Sequence, residues 1–174
     1  MKELNRRLGW IFLMAVVLLS VCSCGYQMVG LGGRGIYGGD ITSLSMGPFK
    51  NITYEPHASL YVTDTFSQEV LSAGLFDLNR PDADSHLQGI IKQILIRPSS
   101  MSAQGIVIQK TATIDVELVL SKRDGTFIKR WFFSDSEPYN TNDIQAEDFN
   151  KRNAFQTISA RMARKFIAAL LVDY

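Results

Sequence analysis

The sequence predicts an α+β domain in which two helices pack on one face of a largely antiparallel four-stranded sheet. Three observations lead there. From Ile106 to Leu120 every even position is apolar except Lys110, while the odd positions are mostly polar. That is the period-2 signature of a strand with one buried and one wet face. Asp124-Gly125 then separates this run from an aromatic-rich one, Phe127 to Ser134, as in a β-hairpin. Two other stretches, 58–73 and 142–172, carry apolar residues at the 3–4 spacing of amphipathic helices.

The chain opens with the parts of an exported signal. Lys2, Arg6 and Arg7 form a basic start, and Leu8 to Val21 is an almost unbroken apolar stretch of 14 residues. This is short of the roughly 20 residues needed to span a bilayer, which argues against a permanent transmembrane helix. Val21-Cys22-Ser23-Cys24 fits the lipoprotein pattern of an apolar residue, two smaller residues and a cysteine. The rival cut before Cys22 places the β-branched Val21 at the scissile position, where branching crowds the chain. Residues 1–23 are therefore read as a lipoprotein signal peptide, and Cys24 as the lipidation site. It would carry covalent diacylglycerol and an N-acyl chain such as palmitate. Each buried CH₂ is worth about 0.8 kcal/mol, and two or more chains give stable attachment. Because Cys22 is removed and Cys24 acylated, neither a disulfide nor a cysteine-based metal site is expected. Gly25 follows, where an aspartate would resemble an inner-membrane retention signal, so the outer membrane is favoured.

Residues 24–39 contain seven glycines in 16 positions and read as a lipidated, glycine-rich tether. The alternative is that Tyr26, Met28, Val29, Leu31, Ile36 and Tyr37 pack as an irregular arm. The domain is expected over 40–174. Ile41 to Met46 reads as a first strand ended by Gly47-Pro48, and Asn51 to Pro56 as a loop. Ala58 to Ala73 is a helix with Leu60, Thr63, Phe66, Val70 and Leu71 near one face and Gly74 as C-cap. Leu75 to Leu78 is a candidate short strand, and Leu87 to Ile96 a long one. The returning strand after Asp124-Gly125 has Trp131 and Phe133 on one face and Ile128 and Phe132 on the other, which predicts cover on both. Asn142 to Val172 is one long helix or two, with Asn142 as N-cap and Phe155, Ile158, Met162, Phe166 and Ala169 as its stripe. The five prolines (48, 56, 81, 98, 138) read as element boundaries.

Composition excludes several functions. Without the signal peptide the formal charge falls from +1 to about −1, too low for nucleic-acid binding by bulk electrostatics. The two histidines, His57 and His86, stand in no paired or HExxH spacing, and no GxSxG is present. Gly30-Leu31-Gly32-Gly33 lacks the flanking strand and helix of a phosphate loop. Asp82 and Asp84 in a turn, and Asp115 and Glu117 on the wet face of a strand, are explained by solvation. No catalytic residue, metal site or cofactor is expected. Lys122 and Arg123 flank the hairpin turn, Lys129 and Arg130 lie close across the ladder on the returning strand, and together they suit phosphate or carboxylate groups, such as those of a phosphorylated glycolipid. Lys92, Arg97 and Lys110 are further candidates, and ordinary solvated charge at a hairpin tip is the competing explanation.

Several stretches in order resemble the LPS-assembly lipoprotein LptE family. They are Cys24-Gly25-Tyr26 with Gly30; Pro48-Phe49-Lys50-Asn51-Ile52-Thr53-Tyr54-Glu55-Pro56; Gly89-Ile90-Ile91 with Pro98-Ser99 and Gly105; Asp124-Gly125-Thr126 with Trp131; and the Ala- and Ile-bearing last helix. Gly47 departs from an apolar strand residue usual in the family, and the loop from Ser99 to Gly105 lacks the tyrosine often found there. The resemblance implies a domain at the periplasmic leaflet of the cell outer membrane. It would plug and help assemble the LptD β-barrel and bind lipopolysaccharide in transit, with no enzymatic activity. A lipid-anchored scaffold of another envelope complex is the alternative, and a lipid-anchored hydrolase a third class.

Overall fold

In the computed structural model, residues 41–172 are described. The signal peptide, Cys24 and the tether through 39 lie outside the described residues. In chain order the elements are β1 (Ser43–Met46), β2 (Lys50–Asn51), α1 (Ala58–Ser72), β3 (Asp77–Leu78), β4 (Ser85–Met101), β5 (Val107–Lys122), β6 (Phe127–Asn140) and α2 (Ile144–Val172). The sheet runs β3-β1-β4-β5-β6, with β2 also paired to β4.

The expectation of α+β architecture with two helices holds, but the four-stranded, largely antiparallel sheet does not. The sheet has six strands and is mixed. β1 pairs with β3 and β4 in parallel, β2 pairs with β4 in parallel, and only β4–β5 and β5–β6 are antiparallel. Parallel neighbours need a crossover, which α1 supplies between β1 and β3. Two of the strands are two residues long, too short to show a period in sequence.

β4 and β6 run further than expected, through Pro98 and Pro138. Both prolines sit where one side of the strand has no neighbour: β6 ends the sheet, and the last partner of β4 on its outer side is Asn51, opposite Ile91. A missing N–H costs no ladder bond when it faces outward. β4 also carries a bulge, since its register against β5 shifts between Ile91 and Gln93. Inward-facing positions thereby change from odd (Leu87, Ile91) to even (Ile94, Ile96).

Both helices lie over one face of the sheet. α1 buries Ala58, Val62, Phe66 and Val70, a strict i, i+4 stripe, and leaves Leu60 and Leu71 exposed, against expectation. α2 is one helix and buries Phe155, Ile158, Met162 and Phe166. Its first turn is capped by Asp143, whose carboxylate accepts from the N–H of Gln145 at 2.9 Å, one residue after the expected cap. Gly74 closes α1 with a positive φ of 65°. An aromatic chain crosses the core: Phe49 to Phe66 (5.1 Å between centroids), Phe66 to Phe166 (5.7 Å), and Phe166 edge-on to Trp131 (5.2 Å). The fully buried Ser159 hydroxyl donates to the Val62 carbonyl at 2.7 Å and fastens one helix to the other. No described helix is long and apolar enough to cross a membrane.

Phe49 rests on the bare backbone of Gly89, where a Cβ would lie 2.5 Å from the ring. Phe49 is buried under Phe66 and has little room to retreat. Gly89→Ala is expected to cost about 1–3 kcal/mol, the range for overpacking, read as a lowered urea midpoint with unchanged slope.

On β6 the inward Asp135 and Glu137 receive Arg161 and Lys165 from α2. Arg161 reaches Asp135 at 3.1 Å and Glu137 at 2.6 Å, and Lys165 reaches Asp135 at 2.8 Å. Burial pushes the Asp135 carboxyl up, but the hydrogen bonds from Lys165 and Arg161 outweigh it and hold it below the usual range. A lowered folded pKa gives stability that is present above the unfolded value, about 3.9, and lost as pH falls through the folded value. Acid titration of stability should show this loss in the native chain, and Asp135→Asn should lower neutral stability while flattening the acid limb.

Candidate functional site

The helices leave the other face of the β4–β5–β6 sheet uncovered. Register places Gln88, Ile90, Gln93, Leu95 and Arg97 of β4 beside Val119, Glu117, Asp115, Thr113 and Thr111 of β5. Arg130, Phe132, Ser134 and Ser136 of β6 flank these on the far side. Hydroxyls bridge the strands: Ser134 donates to Asp115 at 2.6 Å, and Thr113 and Ser136 are 2.8 Å apart. The face is polar, as the odd positions of β5 foretell.

At its centre stands Glu117, only 8 % exposed. Lys92 lies 3.3 Å from one carboxylate oxygen and Arg130 lies 3.0 Å from the other. Solvation therefore does not account for Glu117; two cations from the flanking strands do. A carboxylate removed from water needs such partners. The strand pattern alone cannot show this, because the partners come from register. Phe132 stands beside the trio and is 69 % exposed, so the expected cover on both faces of β6 is missing. A shallow cleft of about 450 Å³ opens between Lys92, Asp115, Phe132 and Ser134.

The four basic candidates take separate places. Lys122 ends β5, exposed, with its charge beside Asp124. Arg123 folds back on the turn before β4. Its Nε donates to the Ala83 carbonyl at 3.0 Å, and its guanidinium lies 3.9 Å from Asp84. Lys129 sits over the Trp131 ring on the helix side, and Arg130 turns to the open face over Phe127 and onto Glu117. Lys129 and Arg130 thus project to opposite sides of β6. Lys110 lies toward the far end, 2.6 Å from Glu147 of α2, and Arg97 is opposite Thr111. Lys122 and Arg123 remain neighbours at the tip; Arg130 belongs to the centre of the face.

The other titratable candidates have structural posts. Asp84 accepts from the Ser43 and Thr42 hydroxyls, both at 2.9 Å, and these bonds hold its carboxyl below the usual range. It joins the start of β1 to Arg123. Asp82 accepts from Arg80. His57 is exposed at the N-terminus of α1 with a φ of 58°, and His86 is exposed on the open face. Among the described residues no group of three or more His, Cys, Asp or Glu is placed to hold a metal ion.

No family model matches the chain, and no curated protein matches it. Solved structures do. The chain is similar to the rare lipoprotein B from Shewanella oneidensis, at 13% identity and a TM-score of 0.51 over 76% of this chain and 96% of that one. It is similar to a minor lipoprotein from Acinetobacter baumannii (12% identity, TM-score 0.47, 74% and 92% covered). Lipoprotein B from Nitrosomonas europaea gives 11% identity and a TM-score of 0.45 over 82% and 94%. The first of these shows a shared fold.

Arg130→Ala leaves Glu117 with Lys92 alone and should cost about 1–3 kcal/mol, the range for an under-satisfied buried acceptor. Arg130→Ala with Glu117→Gln should recover most of that loss in chemical denaturation. A double variant as unstable as the sum of the two single ones would deny the coupling.

Proposed function

We propose that this chain is an envelope lipoprotein, anchored through Cys24 at the periplasmic leaflet of the outer membrane, that plugs and assists assembly of an LptD-like β-barrel. In that setting it contacts lipopolysaccharide during transport to the surface, without catalysis. The observation that carries this reading is the ordered set of LptE-like motifs, several of which have a definite post among the described residues. Phe49 rests on Gly89, Asn51 closes β2, Asp124-Gly125 turns the β5–β6 hairpin, and Trp131 meets Phe166. The fold shared with the rare lipoprotein B supports it as analogy.

The physical account is one of surfaces. A domain enclosed by a barrel needs a polar face toward a wet lumen, and the hydroxyl- and amide-rich side of β4–β5–β6 is one. Glu117 carries no uncompensated charge into that setting, because Lys92 and Arg130 already balance it. Lys122 and Arg123 at the hairpin tip are the basic groups best placed for the phosphates of a glycolipid, since reversal at Arg130 would also expose Glu117.

A pull-down from detergent-solubilised outer membrane, followed by mass spectrometry, tests the partnership: a large barrel of the LptD kind in near-equal yield is expected. A different barrel or secretin in its place would move the chain to another envelope complex. For the anchor, Cys24→Ser should abolish incorporation of labelled palmitate and release the domain from the membrane fraction, whereas Cys22→Ser should leave both intact. Lys122→Glu with Arg123→Glu is expected to weaken lipopolysaccharide binding with the fold retained by circular dichroism. Unchanged affinity would remove the tip from the lipid contact.

A further inference from the structure

Both helices finish, and the chain enters the fold, at the end of the domain marked by the β5–β6 hairpin tip. Ser85, the first residue of β4, pairs with Lys122 on one side and with Leu44 of β1 on the other. Asp84 accepts from the Thr42 N–H at 3.3 Å and from its hydroxyl at 2.9 Å, and the Asp84 carbonyl accepts from the Arg123 N–H at 2.9 Å. The residues that lead into β1 therefore lie beside the tip. α2 starts at the other end, where Glu147 meets Lys110. It passes Asp135 at Arg161 and Trp131 at Phe166, and finishes toward the tip at Val172. α1 runs alongside in the same direction, with Val62 at Ser159 and Phe66 at Phe166, and finishes at Ser72. This end carries Leu71, Phe127, Leu171 and Val172, each 48 % exposed or more. The cations of the tip are matched, Arg123 by Asp84 and Lys122 by Asp124. What this end offers outward is apolar surface rather than net charge.

We propose that this end of the domain seats on the phospholipid leaflet that holds the Cys24 lipid, with Leu71, Phe127, Leu171 and Val172 entering the headgroup region. The opposite end also exposes apolar side chains, Met101, Ile106 and Ile144 among them, so exposure by itself does not choose between the two. The length of chain before the fold does. Cys24 lies 17 residues before Ile41, and that length spans at most about 60 Å. β4 runs the length of the domain in 17 residues and covers about 50 Å. To bring the opposite end to the bilayer, the residues after Cys24 would have to run almost fully extended along the whole domain. With the tip end down no such extension is required. Apolar side chains at the interface gain by leaving water, and together with an acyl anchor they supply a second attachment signal. Because the tip charges are matched, the seating depends on apolar burial and is insensitive to salt. The inference rests on the Cys24 anchor of the reading above and not on the barrel partnership.

The test uses the mature lipidated chain in phosphatidylcholine vesicles. Removal of the signal leaves Cys24 as its one cysteine, already acylated, so an introduced thiol is the only one a fluorophore labels. Fluorophores at Phe127→Cys and Val172→Cys should be quenched several-fold more by lipids brominated high on the acyl chain than those at Ile106→Cys and Ile144→Cys, with little change at high salt. Leu71→Gln with Leu171→Gln keeps good helix formers at exposed positions. The pair should relieve the quenching at Phe127→Cys and leave the circular dichroism unchanged. Equal quenching at the two ends, or stronger quenching at Ile106→Cys and Ile144→Cys, overturns the proposal. So does quenching at Phe127→Cys that survives the double glutamine change. Palmitate labelling separates the two failures: loss of label removes the anchor and this proposal with it, while a labelled chain with no preferred end removes this proposal alone.

Discussion

The four-ring chain Phe49–Phe66–Phe166–Trp131 joins parts of the fold that no backbone ladder joins. It starts beside β2, passes through both helices and ends on β6, so it fastens the helical layer to both sides of the sheet. Its first ring approaches β4 only because Gly89 has no side chain. Its last contact is edge-on, a favoured arrangement worth about 0.5–1.5 kcal/mol beyond area. The Ser159 bond to Val62 lies between the two ends and sets one helix against the other. With the helices so placed, one face of the sheet is dry and the other is left to water.

That division governs the charges. Basic residues placed near a hairpin turn invite a ligand-binding reading, yet Arg130 there, like several cations elsewhere in the chain, balances a carboxylate drawn into the fold. Arg130 and Lys92 hold Glu117, Arg161 and Lys165 hold Asp135, and Lys151 holds Glu55 at 2.7 Å. The cost of taking a carboxylate from water makes these cations structural before they are anything else.

Edges are the second consequence. The sheet does not close, and its open strands are treated unevenly. Pro98 lies on the outer side of β4 beyond its last parallel partner, while on β6 side chains from α2 reach over to cap backbone groups. The uncapped stretch of β6 coincides with exposed Phe132, so backbone valence and apolar surface are open at the same place.

What the sequence by itself determined was the part of the protein ruled by local chemistry. The period of β5, the Asp124-Gly125 turn, the span of α1 and the Gly74 cap are all legible in neighbouring residues, because each depends on spacing or on one residue's backbone freedom. Tertiary structure decided the rest. The parallel pairings of β1, β2 and β3 rest on strands too short to show a period. The run through Pro98 and Pro138 depends on which strands lack a neighbour, and the bulge after Ile91 depends on the partner strand. The cations of Glu117 come from two other strands, and no spacing along the chain encodes that meeting. Local propensity names the elements; only burial against distant residues says which face is dry, which charge is enclosed and which edge stays open.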